Sequence, residues 1–333
     1  MQTGYFFLVV LVVGVIFVNG WTDAPNSITS IVCTGVLPFR RAALLAAGCN
    51  LCGLLLSWIL APKVTNTIRE MADFSQTDPF SALSALCAAM AAVVLFAVAA
   101  WIFGIPTSES HALLAALSGA AAALGGKAAI SEGAWGKVLW GLLLSSAGGL
   151  VLGFLVCGTC ARLLKRGGHR GARRIQLFCS VLLSLMHGAQ DGLKFVGVLL
   201  VADSFLLGAP ASSEVDLSGS LGAVLLCGVV MSVGTLVGGR RIIEAVGEQM
   251  VSLGERSGSA SDLAAALLLL GATATGIPMS TTHTKTCAVM GAGLRCGETV
   301  HLRVMGRMAL AWGITFPVCG LIGWLVTRLV VGA

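Results

Sequence analysis

Gly104-Ile105-Pro106-Thr107-Ser108-Glu109-Ser110-His111 and Gly276-Ile277-Pro278-Met279-Ser280-Thr281-Thr282-His283 are two copies of one motif. They lie 172 residues apart, counted from Gly104 to Gly276. Each copy follows an apolar run, breaks it at Gly-x-Pro, and opens a new run with hydroxyl residues. Proline lacks the N–H that a helix interior needs, and Ser or Thr caps the helix that follows. The motif therefore reads as helix, sharp break, helix. A second pair repeats at almost the same spacing. Asn19-Gly20-Trp21-Thr22-Asp23-Ala24-Pro25-Asn26 aligns with His187-Gly188-Ala189-Gln190-Asp191-Gly192-Leu193-Lys194, and the aspartates are 168 residues apart. Two independent motif pairs with nearly equal offsets, each close to half the chain, indicate an internal duplication.

The runs around these motifs belong to a membrane protein. Of 333 residues, 56% are hydrophobic and 11% charged, and the mean hydropathy is +0.92. A soluble domain carries roughly a quarter charged residues. That excludes a soluble enzyme, a disordered chain and a nucleic-acid binder, and the net charge of +6 belongs to loops. The apolar runs are continuous rather than alternating, which excludes an outer-membrane barrel. Ala42 to Ala61 is a clean span of about the 20 residues a bilayer requires. Tyr5 to Val18 leads into the first Asp motif and resumes from Ile28 to Leu37. Ser81 to Phe103 and His111 to Leu124 flank the first break, and Leu263 to Thr275 and Thr284 to Leu294 flank the second. Val138 to Cys160, Ile175 to Val201, Leu221 to Gly238 and Val304 to Val331 complete the set. The N-terminus lacks a basic leader and a clean cleavage site, so it reads as mature structure rather than a signal peptide. The 11 cysteines fit no zinc spacing, and Cys49 and Cys52 read as buried helix residues.

A repeat interrupted by Gly and Pro at matching positions is the pattern of a transporter with its site at the repeat interface. The segment holding Arg162, Lys165, Arg166, Arg170, Arg173 and Arg174 is the densest basic stretch, which places it in the cytoplasm. Arg40 and Arg41, and Arg240 and Arg241, mark two more inner loops, while Pro62 to Pro79 is better placed outside. These assignments agree only if each half crosses the membrane an odd number of times. The expectation is an all-α polytopic protein of two inverted-topology repeats, each with broken helices and a re-entrant helical hairpin. Residues 1–161 form the first repeat, 162–174 a basic cytoplasmic linker and 175–333 the second repeat. The N-terminus lies outside, in the plasma or inner membrane.

Asp23 and Asp191 interrupt apolar helices, where a carboxylate is costly unless paired or hydrated. Asn19, Thr22, Asn26 and Ser27 stand near Asp23, and Pro25 frees a backbone carbonyl. Carboxylate, amide oxygen and free carbonyls suit a small hard cation. Gln190 stands beside Asp191, with Gly188 and Gly192 loosening the backbone. The hairpins have the opposite character. A helix N-terminus offers unpaired N–H groups to an anion, and Ser108, Ser110, Ser280, Thr281 and Thr282 add hydroxyls. Two such termini converging make an oxyanion cage. His111 and His283 read as neutral hydrogen-bonding residues that steady the turns, and Glu109 is the asymmetric element, standing where the second copy has Thr281. No nucleophile and base stand in a recognisable relation, so an enzyme is not expected.

With its paired Asp motifs and paired G-x-P-x-S-x-x-H hairpins, the whole chain resembles the inorganic phosphate transporter (Pit) family, from Asn19 to the closing helix with Trp312 and Pro317. The resemblance implies an inverted-repeat fold and symport of inorganic phosphate with Na+ or H+, without a further cofactor. It places the coupling cation at Asp23, Asn26 and Asp191, to which the residues themselves add Gln190 beside Asp191. It places the anion at Ser108, Ser110, Ser280, Thr281 and Thr282, to which the residues themselves add Glu109 in the hairpin turn and a shared Asn26. Gln190, Thr22, Leu193 and Glu109 depart from the family pattern. Lipid and a second copy of the chain are the remaining partners compatible with it. The alternatives are a permease for another oxyanion, chiefly sulfate, and an anion channel. Phosphate is preferred because near neutral pH it carries a proton that a site carboxylate accepts, whereas sulfate can only accept hydrogen bonds.

Overall fold

The computed structural model describes residues 2–60, 62–72, 74, 77–103, 107–207 and 220–332, without the side chains of 160–169, 206–207 and 248. Gly104, Ile105 and Pro106 of the first hairpin therefore lie outside the described residues, as do the side chains of Arg162, Lys165 and Arg166. The described chain is helical, with two isolated bridges (Ala72 to Ile130, Val251 to Val300) and no strand. Seven helical runs among the described residues are long and apolar enough to cross a membrane, or up to eight if one bent pair counts as a span.

Helix α1 (Gln2–Thr22) ends at the first Asp motif. A 3₁₀ turn (Ala24–Ile28) and the short α2 (Thr29–Cys33) carry the chain on. Pro25 explains the break, since it cannot supply the next helical N–H. Next come α3 (Phe39–Leu60) and α4 (Lys63–Glu70). Helix α5 (Pro79–Ile102) is capped by the Asp78 carboxylate, which accepts from the Phe80 and Ser81 N–H groups at 3.0 Å. The first hairpin returns as α6 (Glu109–Gly125), capped by Ser108. Helix α7 (Glu132–Leu143) runs through a π turn (Leu144–Gly148) into α8 (Gly149–Leu207). The second half continues with α9 (Leu221–Val237), α10 (Arg240–Glu244), α11 (Glu255–Thr275), α12 (Thr281–Cys296), capped by Ser280, and α13 (Leu302–Val331).

Helix α8 comprises two arms that run in opposite directions. Its first arm follows α12, with Gly149 against Thr284 and Cys157 disulfide-bonded to Cys296. Its second arm follows α11, with Ser180 on Asp262 and Gln190 on Thr273. Since α11 and α12 are the antiparallel legs of a hairpin, the arms are antiparallel too.

The motif glycines serve close approach. A Cβ on Gly20 would lie 2.2 Å from the Met231 carbonyl oxygen of α9, and one on its counterpart Gly188 2.0 Å from that of Asn50 on α3. Three expectations change here. Gly188 and Gly192 do not loosen the backbone, because α8 stays helical through Asp191; Leu193, not proline, occupies the place of Pro25, so only the first Asp motif breaks its helix. Cys52 is exposed and Cys49 half-buried on α3, so neither is a core residue. The bend between α9 and α10, 68°, was not anticipated; it turns at Gly239, whose φ of 103° needs glycine.

Candidate functional site

Both Asp motifs and both hairpin starts meet in the interior. Asp23 and Asp191 are 1% exposed. Each is gripped by the other half of the chain. The Thr282 hydroxyl donates to Asp23 Oδ1. Thr281 Oγ1 bridges the two aspartates, 3.2 Å from Asp23 Oδ2 and 3.1 Å from Asp191 Oδ2. In return Asn19 Nδ2 donates to Asp191 Oδ2 at 3.1 Å, and Ser110 Oγ donates to Asp191 Oδ1 at 3.3 Å. Asn26 Nδ2 reaches Asp23 Oδ1 at 3.0 Å and Thr282 Oγ1 at 3.4 Å. Glu109 is buried, accepts from Thr22 Oγ1 at 2.5 Å and neighbours the Asp23 carboxyl.

The donors and acceptors here do not balance. Asn19 Oδ1, Asn26 Oδ1 and Glu109 Oε2 are buried acceptors with no hydrogen-bond partner. Buried polar atoms are almost always satisfied, and oxygen acceptors left over around carboxylates are what a hard cation takes up. Asp23, His187 and Asp191 offer ligand atoms within 4.8 Å of one another. The residues present therefore fit a small cation, and the hydroxyls of Ser110, Thr281 and Thr282 face the same space.

The sequence profile of the Phosphate transporter family matches the chain twice, over residues 19–170 and 165–323. The chain belongs to the phosphate transporter family. Proteins described as probable low-affinity inorganic phosphate transporters align along most of it. That of Mycobacterium tuberculosis is 32% identical over 97% of this chain and 77% of its own length. That of Bacillus subtilis is 30% identical over 92% and 91%, and that of Rhizobium meliloti 32% over 93% and 91%. A solved structure described as the sodium-dependent phosphate transporter shares the fold, with a TM-score of 0.86, 18% identity and coverage of 98% and 99%. The double match makes the two halves repeats of one another. As a member of this family the chain is a transporter and not an enzyme.

Within this transporter some expected site residues play other parts. Gln190, expected among the cation ligands, is turned to the second hairpin. Its Nε2 donates to Thr273 Oγ1 at 3.2 Å and the Ile277 carbonyl at 3.3 Å, and its Oε1 accepts from the Met279 N–H. Both amide ends are engaged with the second hairpin. Ser108 and Ser280 cap their own helices, accepting from the N–H groups of His111 and His283. The His111 and His283 rings meet edge to face where the two hairpins converge, and each packs against an aromatic ring of α13. Their centroids are 4.4 Å apart, with Phe316 4.8 Å from His111 and Trp312 3.8 Å from His283. His283 has neither ring nitrogen partnered.

Two central residues were missed. Lys194 is 1% exposed, and its ammonium reaches Asp191 Oδ1 (2.8 Å), Ser110 Oγ (2.7 Å) and the Met279 carbonyl. His187 Nε2 lies 3.3 Å from Asp191 Oδ2. The 168-residue offset contained the signal, because it pairs Lys194 with Asn26 and His187 with Asn19.

Proposed function

We propose that the chain carries inorganic phosphate across the cell membrane in symport with a cation, on two inverted repeats that each contribute a re-entrant hairpin. The observation that carries this reading is the crossed grip, in which each aspartate accepts from hydroxyls on the other half's hairpin. Phosphate inserted among Ser110, Thr281 and Thr282 takes those hydroxyls, together with the N–H groups at the starts of α6 and α12. The aspartates so released are then neutralised from within the site. A cation between Asp23, Asn26 and Asn19 does this for Asp23, while the Lys194 ammonium already does it for Asp191. Substrate and cation thus stabilise each other, which is the physical basis of coupling.

Sodium is the favoured cation. The unpartnered atoms are oxygens, and the structural neighbour is described as sodium-dependent. Phosphate is favoured over sulfate because Glu109 and Asp23 place carboxylates where a protonated oxyanion can donate and sulfate cannot. The repeats are residues 1–161 and 175–333, joined by the basic linker 162–174 on the cytoplasmic side, with the N-terminus outside. The test is uptake of labelled phosphate into proteoliposomes with Na+ and pH gradients imposed separately. A Na+ gradient drives accumulation on this reading; uptake indifferent to both gradients refutes it.

A further inference from the structure

Helix α8 carries a polar stripe that continues beyond the central cluster. It runs from Asp191 through His187, Ser184, Ser180 and Gln176 to Arg173, at spacings of three and four that keep one face. Ser184 Oγ donates to Ser27 Oγ at 2.9 Å, Ser30 and Ser180 hydroxyls lie 3.3 Å apart, and Gln176 Nε2 donates to the Ser30 carbonyl at 3.1 Å. At the end, Arg173 Nη2 donates to the Val36 carbonyl at 2.9 Å. Beside the stripe lies an ion pair between Asp262 of α11 and Lys285 of α12, neither more than 1% exposed. Ser30 and Ser180 both donate to Asp262, and Lys285 also donates to Ser261 Oγ at 2.8 Å. The Gln176 side-chain oxygen is buried without a partner.

The repeat-related counterparts of these positions are apolar. By the 168-residue offset, Ser184, Ser180 and Gln176 stand where α1 has Ile16, Val12 and Leu8, and Ser27 and Ser30 correspond to Phe195 and Val198. By the 172-residue offset, Asp262 and Lys285 correspond to Met90 and Leu113. All seven of these apolar residues belong to one core cluster. One end of the space between the halves is thus filled with hydrocarbon, and the other with hydroxyls, an amide and an ion pair. Well-packed apolar residues generally stabilise a buried position at least as well as an ion pair does, and the first half already uses such a filling. Stability therefore does not account for the pair.

We infer that this polar seam is the phosphate's route between the central cluster and the face carrying Arg173, and that Lys285 is a transit contact for the anion, held by Asp262 while the route is closed. The inference rests on the phosphate-transport reading above. Lys285 follows Thr281 by one turn of α12, about 6 Å along the helix, so it is the next cation an anion meets on leaving the hairpin hydroxyls. Ser261, Ser30 and Ser180 supply donors around it, and Asp262 can accept the proton that phosphate carries. Toward the opposite face the seven repeat-related positions are apolar core residues.

The test compares Lys285→Met, Lys285→Arg and the double variant Asp262→Asn/Lys285→Met with the unmodified protein, reading labelled-phosphate exchange in proteoliposomes and equilibrium phosphate binding in detergent. Lys285→Met is expected to slow exchange at least about tenfold with binding changed less than about threefold, the loss of one charge-assisted contact on the route. Lys285→Arg retains exchange, and the double variant remains slow although no buried charge is left unpaired. Exchange restored in the double variant means the pair only neutralises itself and overturns the transit role. So does unimpaired Lys285→Met. In a background without reactive cysteines, Ser180→Cys is modified by an impermeant thiol reagent during turnover and protected by phosphate; an active variant that resists modification overturns the route. Absence of exchange in the unmodified protein is a separate result, which refutes phosphate transport itself.

Discussion

Lys194 occupies in the second half the place that Asn26 occupies in the first, and each turns on the aspartate three residues before it. Asn26 Nδ2 meets Asp23 Oδ1 at 3.0 Å, and Lys194 Nζ meets Asp191 Oδ1 at 2.8 Å. One half places an ammonium at its aspartate, and the other an uncharged amide. The duplication is therefore electrostatically asymmetric at its centre.

The first prediction follows from that asymmetry. Asp23→Asn removes the charge that calls for a mobile cation, so cation-driven uptake falls by about 10²-fold or more, the scale of a few kcal/mol for a buried charge left without its partner. Lys194→Asn makes the second half resemble the first and is expected to steepen the dependence of uptake on cation concentration. Initial rates across a Na+ series measure both. An unchanged cation dependence in Asp23→Asn removes that residue from the cation site.

Gln190→Leu tests the brace on the second hairpin. Losing three hydrogen bonds to Thr273, Ile277 and Met279 is expected to lower thermal stability and raise the KM for phosphate. The cation half-saturation shifts by less than about threefold, because no ligand is lost. A large change confined to cation affinity would instead return Gln190 to the cation set.

Glu109→Gln removes the carboxylate beside Asp23 while keeping an acceptor for Thr22. Competition by excess sulfate is expected to become stronger in this variant than in the unmodified protein, where sulfate competes poorly. Sulfate that displaces phosphate from the unmodified protein as well as unlabelled phosphate does contradicts the substrate assignment.

Glu298 lies in the loop between α12 and α13, accepting from the Gly254 N–H at 3.0 Å and Ser257 Oγ at 2.7 Å. Burial raises its pKa above the ordinary glutamate value, against the lowering effect of those two donors. A raised carboxyl pKa means the folded state binds the proton better than the unfolded state. Its contribution to stability is thus full below the unfolded pKa and is lost as pH rises through the folded one. Glu298→Gln stays neutral throughout, so its melting temperature is expected to gain on the unmodified protein as pH rises above about 4, the ordinary glutamate range. A difference that is constant with pH contradicts this.

Much of this was legible in the residues because the repeat was visible twice. Gly-x-Pro breaks, hydroxyl caps and paired aspartates identify local geometry that any polytopic fold must satisfy, and the structure brings the Asp23, Ser110, Thr281 and Thr282 they single out into one buried cluster. Composition could not show which way Gln190 would turn, since an amide next to a carboxylate reads the same whether it faces an ion or a hairpin. The continuity of α8 through Asp191 was overlooked although Leu193 in place of Pro25 implied it. Asp262 and Lys285 were passed over because each stands alone in its stretch of sequence, and only the hairpin geometry makes them a pair. The folding back of α8 is legible in the basic, Gly-containing segment 162–174 between the spans Val138 to Cys160 and Ile175 to Val201.

The central claim is that the aspartate of one half and the hairpin hydroxyls of the other form a single phosphate and cation site. A double-mutant cycle on Asp23→Asn and Thr282→Val, read as kcat/KM for Na+-driven phosphate uptake in proteoliposomes, tests it most directly. If the two residues act as a unit, each single variant loses most of the activity and the double variant is little worse than the more damaging single one, a coupling of about 0.5–3 kcal/mol. Independent effects that multiply, or a Thr282→Val variant that transports like the unmodified protein, would contradict the crossed site.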